Sequence, residues 1–279
     1  MESSARVLRA APLLLIVACL LSLAAQPAQA RVTPLSAVLS NGTFGEFSQT
    51  NVAEGHLEAS DAVPYEGGPS AKASYEGDGR NGYSRGIWNV HWEEGETITF
   101  GAAFYLPPGF ISDIQGEVDL MRWDNWPTHP DDTDWGGIGI YGSDHKARLL
   151  RFGMDRSSET LVGPFELPEG RWFTLQVTEH FSNGPGAFSE VLLDGQPIGH
   201  SSKPNMYGRE IERIRFGIVA IAEGAQHKPL DLWFDQAEVR PESTPSAQPD
   251  RKRWSIRHRS ADRRRGDRGH LVAEARIAH

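Results

Sequence analysis

Cysteine is almost missing from this 279-residue chain: Cys19 is the only one, and it falls within the first thirty residues. The rest has no disulfide and no cysteine chemistry, which excludes a thiol protease, an iron–sulfur protein and a zinc-finger-type site. A domain of roughly 200 residues buries enough apolar surface to fold without disulfides. Helical periodicity is nearly absent, and there is no internal repeat. Long apolar runs are also missing after the start, so no later segment is expected to cross a membrane.

The start itself reads as an export signal. Arg6 and Arg9 form a basic stretch, Ala11 to Ala25 is apolar, and Ala28-Gln29-Ala30 is an A-x-A cleavage site before Arg31. Pro12 and the short length argue against an anchor helix. Ile16-Val17-Ala18-Cys19 also resembles a bacterial lipobox, so a lipid anchor on Cys19 is the alternative to free secretion.

Positive charge is scarce in the body of the chain. From Arg251 to His279 there are ten Lys or Arg against three Asp or Glu, which leaves residues 31–250 with a net charge of −17. Such a body repels nucleic acid and anionic membrane. The expected organisation is a signal at 1–30, one domain over 31–240, a Pro/Ser linker at 241–250 and a basic disordered tail at 251–279. A monomer is expected.

What the domain does have is period-two alternation, broken by Gly, Pro, Asn and Asp clusters. Thr97 to Leu106 puts Ile98, Phe100, Ala102, Phe104 and Leu106 on one face, and Pro107-Pro108-Gly109 stops it. Further strands are predicted at 71–75, 117–123, 137–141, 147–152, 171–181, 190–193, 197–200, 214–221 and 230–239. Asp194-Gly195 joins two of these runs as a tight hairpin. Many short strands in a chain this long predict an all-β sandwich or jelly roll of two antiparallel sheets.

Several motifs carry a family likeness: Trp92 before an acidic Gly turn, the run from Phe100 to Pro107, Arg122-Trp123-Asp124-Asn125, Gly170-Arg171-Trp172, Glu190 to Gly195, and Phe234-Asp235. Over residues 40 to 240 the chain resembles the concanavalin A-like jelly rolls grouped with heparin-lyase-like and glucuronan-lyase-like polysaccharide lyases. The resemblance implies a groove that binds polysaccharide and a β-elimination on a uronic acid. That reaction needs a group to neutralise the C6 carboxylate, a base for the C5 proton and an acid for the leaving O4.

Strand parity then nominates residues. Phe173, Leu175 and Val177 must face the core, so Gln176 and His180 face away from it, about 13 Å apart along the strand. Gln176 would bind a carboxylate or hydroxyl, and His180 would be the base. Tyr141, out of register with Ile138 and Ile140, would be the acid. Arg122 would neutralise the carboxylate, or else pair structurally with Asp119 or Asp124. Glu117 and Asp119 share a face and suggest a sandwich glucanase, whose retaining chemistry needs two glutamates five apart. Arg122 stands at the second position, which argues against that hydrolase. Trp123, Trp126 and Trp135, around a loop with His129, Asp131, Asp132 and Asp134, form an aromatic sugar platform or close the sandwich end. Arg148 and Arg151 add local positive charge. A polyuronate substrate requires such a basic groove within the acidic body. Asn41 to Glu46, taken with Asp235, resembles the calcium clamp of jelly-roll carbohydrate modules, with Glu46 and Asp235 as side-chain ligands of a structural ion. The alternative to a lyase is a carbohydrate-binding, lectin-like module without catalysis; a glycoside hydrolase or an adhesive surface protein ranks lower.

Overall fold

A computed structural model describes residues 35–37, 44–125, 135–152, 158–207, 210–221 and 226–242. The expected signal with Cys19, Asn41 to Thr43, Trp126, His129, Asp131, Asp132, Asp134, and most of the expected linker and tail lie outside the described residues. No helix among the described residues is long and apolar enough to cross a membrane.

The described chain is a jelly-roll β-sandwich of two antiparallel sheets. One sheet has the order β13 (Gln196–Ser201), β12 (Phe188–Leu193), β11 (Trp172–His180), β6 (Thr97–Tyr105), β15 (Leu230–Pro241), β4 (Gly68–Tyr75), β3 (Gly55–Tyr65), with the short β1 (Leu35–Ala37) also paired to β15. The other runs β10 (Ser158–Phe165), β9 (Lys146–Phe152), β8 (Trp135–Tyr141), β7 (Glu117–Asp124), β14 (Glu210–Ile221), β5 (Gly82–Glu93), β2 (Gln49–Ala53). The one helical turn described, α1 (Phe110–Asp113), follows β6 where Pro107 and Pro108 end the ladder.

Alternation builds the core. Ile98, Phe100, Ala102 and Phe104 of β6 meet Phe173, Leu175 and Val177 of β11, all almost fully buried. The opposite sheet supplies Trp88, Trp123, Ile138, Ile140, Leu149 and Phe216. Trp92 stacks between Phe100 at 5.3 Å and Phe181 at 5.6 Å, and Phe100 meets Trp123 edge-on at 4.6 Å. Each such side chain contributes about 1.5–3 kcal/mol on burial. The Asp194-Gly195 hairpin has φ of 51° and 72° at its two central residues, the left-handed pair that a type I′ turn requires.

One irregularity decides what faces outward. In β7 the pairing with β8 slips between Asp119 and Met121, so Leu120 and Met121 are both buried in the core. Simple alternation would send Arg122 inward with Val118 and Leu120. The bulge resets the parity and puts Glu117, Asp119, Arg122 and Asp124 together on the outer face.

Candidate functional site

The outer face of the seven-stranded sheet carries rows of residues that are cross-strand neighbours. One row is Leu150, Gly137, Arg122, Arg215, Ile87 and Gln49. The next is Phe152, Trp135, Asp124, Arg213 and Asn89. Arg85 stands on the same face of β5, opposite Gly217. Gly137 and Gly139 leave the middle of β8 without side chains. A Cβ at Gly139 would lie 2.7 Å from Asp119 Oδ1 and 3.2 Å from Glu117 Oε1, so only glycine leaves room for these carboxyls. The result is a polar trough whose floor is buried although it faces outward: Asp119, Asp124 and Arg215 are each less than 5% exposed.

Four guanidiniums meet in this trough. Asp124 Oδ1 accepts from Arg213 Nη2 at 3.2 Å and from Arg215 Nη2 at 3.1 Å, and Oδ2 pairs with Arg215 Nη1. Arg122 is held more loosely, its Nη1 3.8 Å from Asp119 and its Nε 3.7 Å from Asp124. Arg85 Nη1 donates to the Val219 carbonyl at 2.5 Å, and its guanidinium lies 4.1 Å from the Tyr83 ring. The Nε–H groups of Arg85, Arg122 and Arg215 have no hydrogen-bond acceptor among the described residues. Like charges directly across a ladder repel. Burial first, and the neighbouring guanidiniums next, push Arg215 down to about 9. Burial likewise brings Arg85 to about 10, with Arg122 and Arg213 adding to the effect against the pull of Tyr83.

The carboxyls offset less of this charge than their number suggests. Burial first, and the Glu117 carboxylate second, push Asp119 up to about 8 against the pull of Arg122. Both causes favour the protonated form of Asp119 and weaken it as a counter-ion. Glu212 also lies near Arg213, so the surplus of positive charge falls on Arg85, Arg122 and Arg215, whose Nε–H groups lack acceptors among the described residues and are available to an anion.

Tyr141 closes one end. Its hydroxyl donates to Glu117 Oε1 at 2.9 Å, and the Arg148 guanidinium sits 5.0 Å from its ring. Burial, then the Glu117 charge, raises the phenol well above its ordinary range, so it stays a proton donor. Trp135 closes the other end. Phe152 stacks on it at 3.4 Å while the Arg122 guanidinium lies 3.9 Å from the same ring. Both faces of the indole are therefore occupied, and it fixes Arg122 rather than offering a bare platform.

The residues nominated from sequence divide between the two sheets. Arg122, Tyr141, Glu117, Asp119, Trp135 and Arg148 share the trough. Gln176 and His180 do not: they face outward from the eight-stranded sheet, across the sandwich. There Gln176 Nε2 donates to Glu238 Oε1 at 2.7 Å, and His180 Nδ1 lies 2.9 Å from Thr97 Oγ1 with its ring stacked on Phe188. Trp123 faces inward and is 2% exposed, so it belongs to the core. Arg151 also faces inward, opposite Gly136, with its guanidinium 3.4 Å from the Tyr207 ring and 3.4 Å from Glu159 Oε2. Glu46 is exposed on the turn before β2, whereas Asp235 is 2% exposed and its Oδ1 accepts the Gln236 N–H at 2.6 Å. No group of three or more His, Cys, Asp or Glu that would hold a metal is found among the described residues. Arg85, Arg213, Arg215 and Tyr83 were not anticipated from sequence, whereas Asp124 was read there as a pairing partner of Arg122 and lies 3.7 Å from it. The alternation Arg213-Ile214-Arg215-Phe216 carries the signal: two arginines on the face that the apolar residues avoid.

No family model matches this chain, and no curated protein matches it by sequence. Solved structures do match. An endo-β-1,4-glucuronan lyase from the fungus Trichoderma reesei is 13% identical with a TM-score of 0.59, covering 74% of this chain and 94% of that one. The alginate lyase vAL-1 from Chlorella virus is 12% identical with a TM-score of 0.55, over 74% and 98% of the two chains. The alginate lyase Aly36B is 10% identical with a TM-score of 0.53, over 74% and 96%. At such identities the likeness is one of fold: this chain has the jelly-roll sandwich found in those polysaccharide lyases.

Proposed function

We propose that this protein is an exported polysaccharide lyase, cleaving a uronic-acid-containing glycan by β-elimination along the outer face of the seven-stranded sheet. The observation that carries the reading is the cluster of a buried Arg215 with half-buried Arg85, Arg122 and Arg213, in which the Nε–H groups of Arg85, Arg122 and Arg215 lack acceptors among the described residues, on a domain that is otherwise strongly acidic. A planar guanidinium matches a carboxylate with two parallel hydrogen bonds. Neutralising the C6 carboxylate acidifies the C5 proton.

Glu117 and Tyr141 then supply a closed proton cycle. Glu117 takes the C5 proton as the C4–O4 bond breaks and the C4–C5 double bond forms. Tyr141 gives its proton to the departing O4. The proton on Glu117 returns to the Tyr141 phenolate across their 2.9 Å hydrogen bond, which restores both groups. A second reading, glycan binding without cleavage, rests on the same hydrogen bond, because a phenol held by Glu117 must turn to reach a substrate.

The test is incubation of the protein with alginate, glucuronan, pectin and heparin, read by the ultraviolet absorbance of the unsaturated product. Absorbance rising on one polyuronate is the expected result. Retention on a polyuronate column with no absorbance on any of the four selects the binding module. Neither retention nor absorbance removes both.

A further inference from the structure

The opposite face of the sandwich also carries a polar cavity. A cavity of about 160 Å³ opens on the outer face of the eight-stranded sheet, lined by Ser36, Ala103, Thr174, Gln176, Gln236 and Glu238 among others. Cavities of about this size hold a six-membered ring. Its floor is made by small residues: Ala103 sits between Thr174 and Asp235, and Gly101 sits between Gln176 and Glu238. A Cβ at Gly101 would lie 2.8 Å from the Gln176 side chain, so glycine lets the Gln176–Glu238 hydrogen bond span β6 as one wall.

An aromatic row lies beyond the lining, two residues along the same strands from Ala103, Thr174 and Asp235. Tyr105 lies 5.9 Å from Trp172 and 5.9 Å from Trp233, and Tyr65 lies 4.8 Å from Trp172. Trp172, Tyr105 and Tyr65 are only half-buried, so part of each ring is open. The ladder is deliberately broken at this place. Pairing of β15 with β6 slips between Asp235 and Glu238, and Gln236 there takes a left-handed φ of 45°. A non-glycine residue in that region is strained, and bulges with such strain concentrate at binding sites.

We infer that this cavity is a binding site for one ring of an uncharged glycan, separate from the arginine face. The lining contains a carboxylate, two primary amides and two hydroxyls, but no Lys, Arg or His. Just outside the lining Arg240 Nη2 donates to Glu238 Oε1 at 2.9 Å, so that carboxylate is already paired, and the amides and hydroxyls are left to donate to and accept from sugar hydroxyls. The half-exposed rings are tilted to one another by 55° and 60° about Trp172, and each offers its own apolar surface to the C–H face of a sugar. Gln176 belongs here, as a hydroxyl partner rather than a catalytic group. The site does not depend on the lyase reading.

The experiment is calorimetric titration of the full protein with cellohexaose, xylohexaose and laminarihexaose. One of the three should bind with one site per chain. Thr174→Phe, which fills the cavity from a strand position that tolerates an aromatic, and Trp172→Ala should each weaken binding by at least about tenfold with a cooperative melt retained. Arg122→Ala should leave it unchanged. Binding by none of the three overturns the inference, as does unaltered binding by Thr174→Phe. Loss of binding in Arg122→Ala would place the sugar on the arginine face instead. None of these results alters polyuronate cleavage, which tests the other reading.

Discussion

Replacing Asp124 by Asn probes the arginine cluster at its centre. Asp124 is 1% exposed and accepts from both Arg213 and Arg215, at 3.2 and 3.1 Å, while Arg122 Nε stands 3.7 Å away. The substitution is nearly isosteric but removes the one carboxylate that joins three guanidiniums. Breaking a buried ion pair by removing one partner costs about 3–5 kcal/mol. For a domain of this size each kcal/mol lowers Tm by about 2–4 °C, so the melt should fall by roughly 6–20 °C. The arginines left behind then have more to gain from an external anion. A thermal melt with and without alginate or glucuronan should show Asp124→Asn recovering more degrees than wild type gains. A Tm within about 2 °C of wild type, or an equal polyuronate shift in both, would refute the claim that these buried charges are poised for an anion.

Two further outcomes follow from the same trough. Tyr141→Phe keeps the ring under Arg148 but removes the proton donor, so turnover should fall by roughly 10²–10⁴ with polyuronate affinity nearly unchanged, measured by steady-state kinetics and calorimetry. A change in affinity with turnover intact would take the acid role away from Tyr141. The pH dependence of stability has a defined sign. Asp119 holds its proton to about 8 in the folded chain, against about 3.9 when unfolded, so between these values the native state binds the extra proton and stability falls as pH rises. Asp119→Asn should flatten the decline of Tm from pH 5 to 8; an undiminished slope would show that another group is responsible.

The fold was legible wherever burial was one-sided. In Thr97 to Leu106 and Arg171 to Phe181 large apolar side chains alternate without interruption, and both became central strands. The Asp194-Gly195 turn was equally plain. The strands missed by sequence reasoning lack that signal for physical reasons. On the inner face of β5, Ser84 and Gly86 precede Trp88, so small residues hide the alternation. β3 is an edge strand of mostly half-exposed and exposed residues, and β10 is irregular, with two register shifts against β9. The site was half legible. Tyr141 and Glu117 follow from unbroken parity. Arg122 reached their face only through the bulge at Leu120 and Met121, which no periodicity announces. Gln176 and His180 were correctly read as outward, but parity along one strand does not say which of two sheets it belongs to. Arg151 failed differently: it reads as a surface charge, yet at the end of β9 it turns inward against Tyr207.

The measurement that bears most directly on the account is a comparison of two variants on whichever polyuronate the wild type cleaves. Arg122→Ala removes a guanidinium from the trough, while His180→Ala removes the imidazole on the far sheet. Formation of unsaturated product should collapse in the first and persist at the wild-type rate in the second. Product persisting in Arg122→Ala and vanishing in His180→Ala would move the chemistry to the eight-stranded sheet and contradict the assignment of the active face.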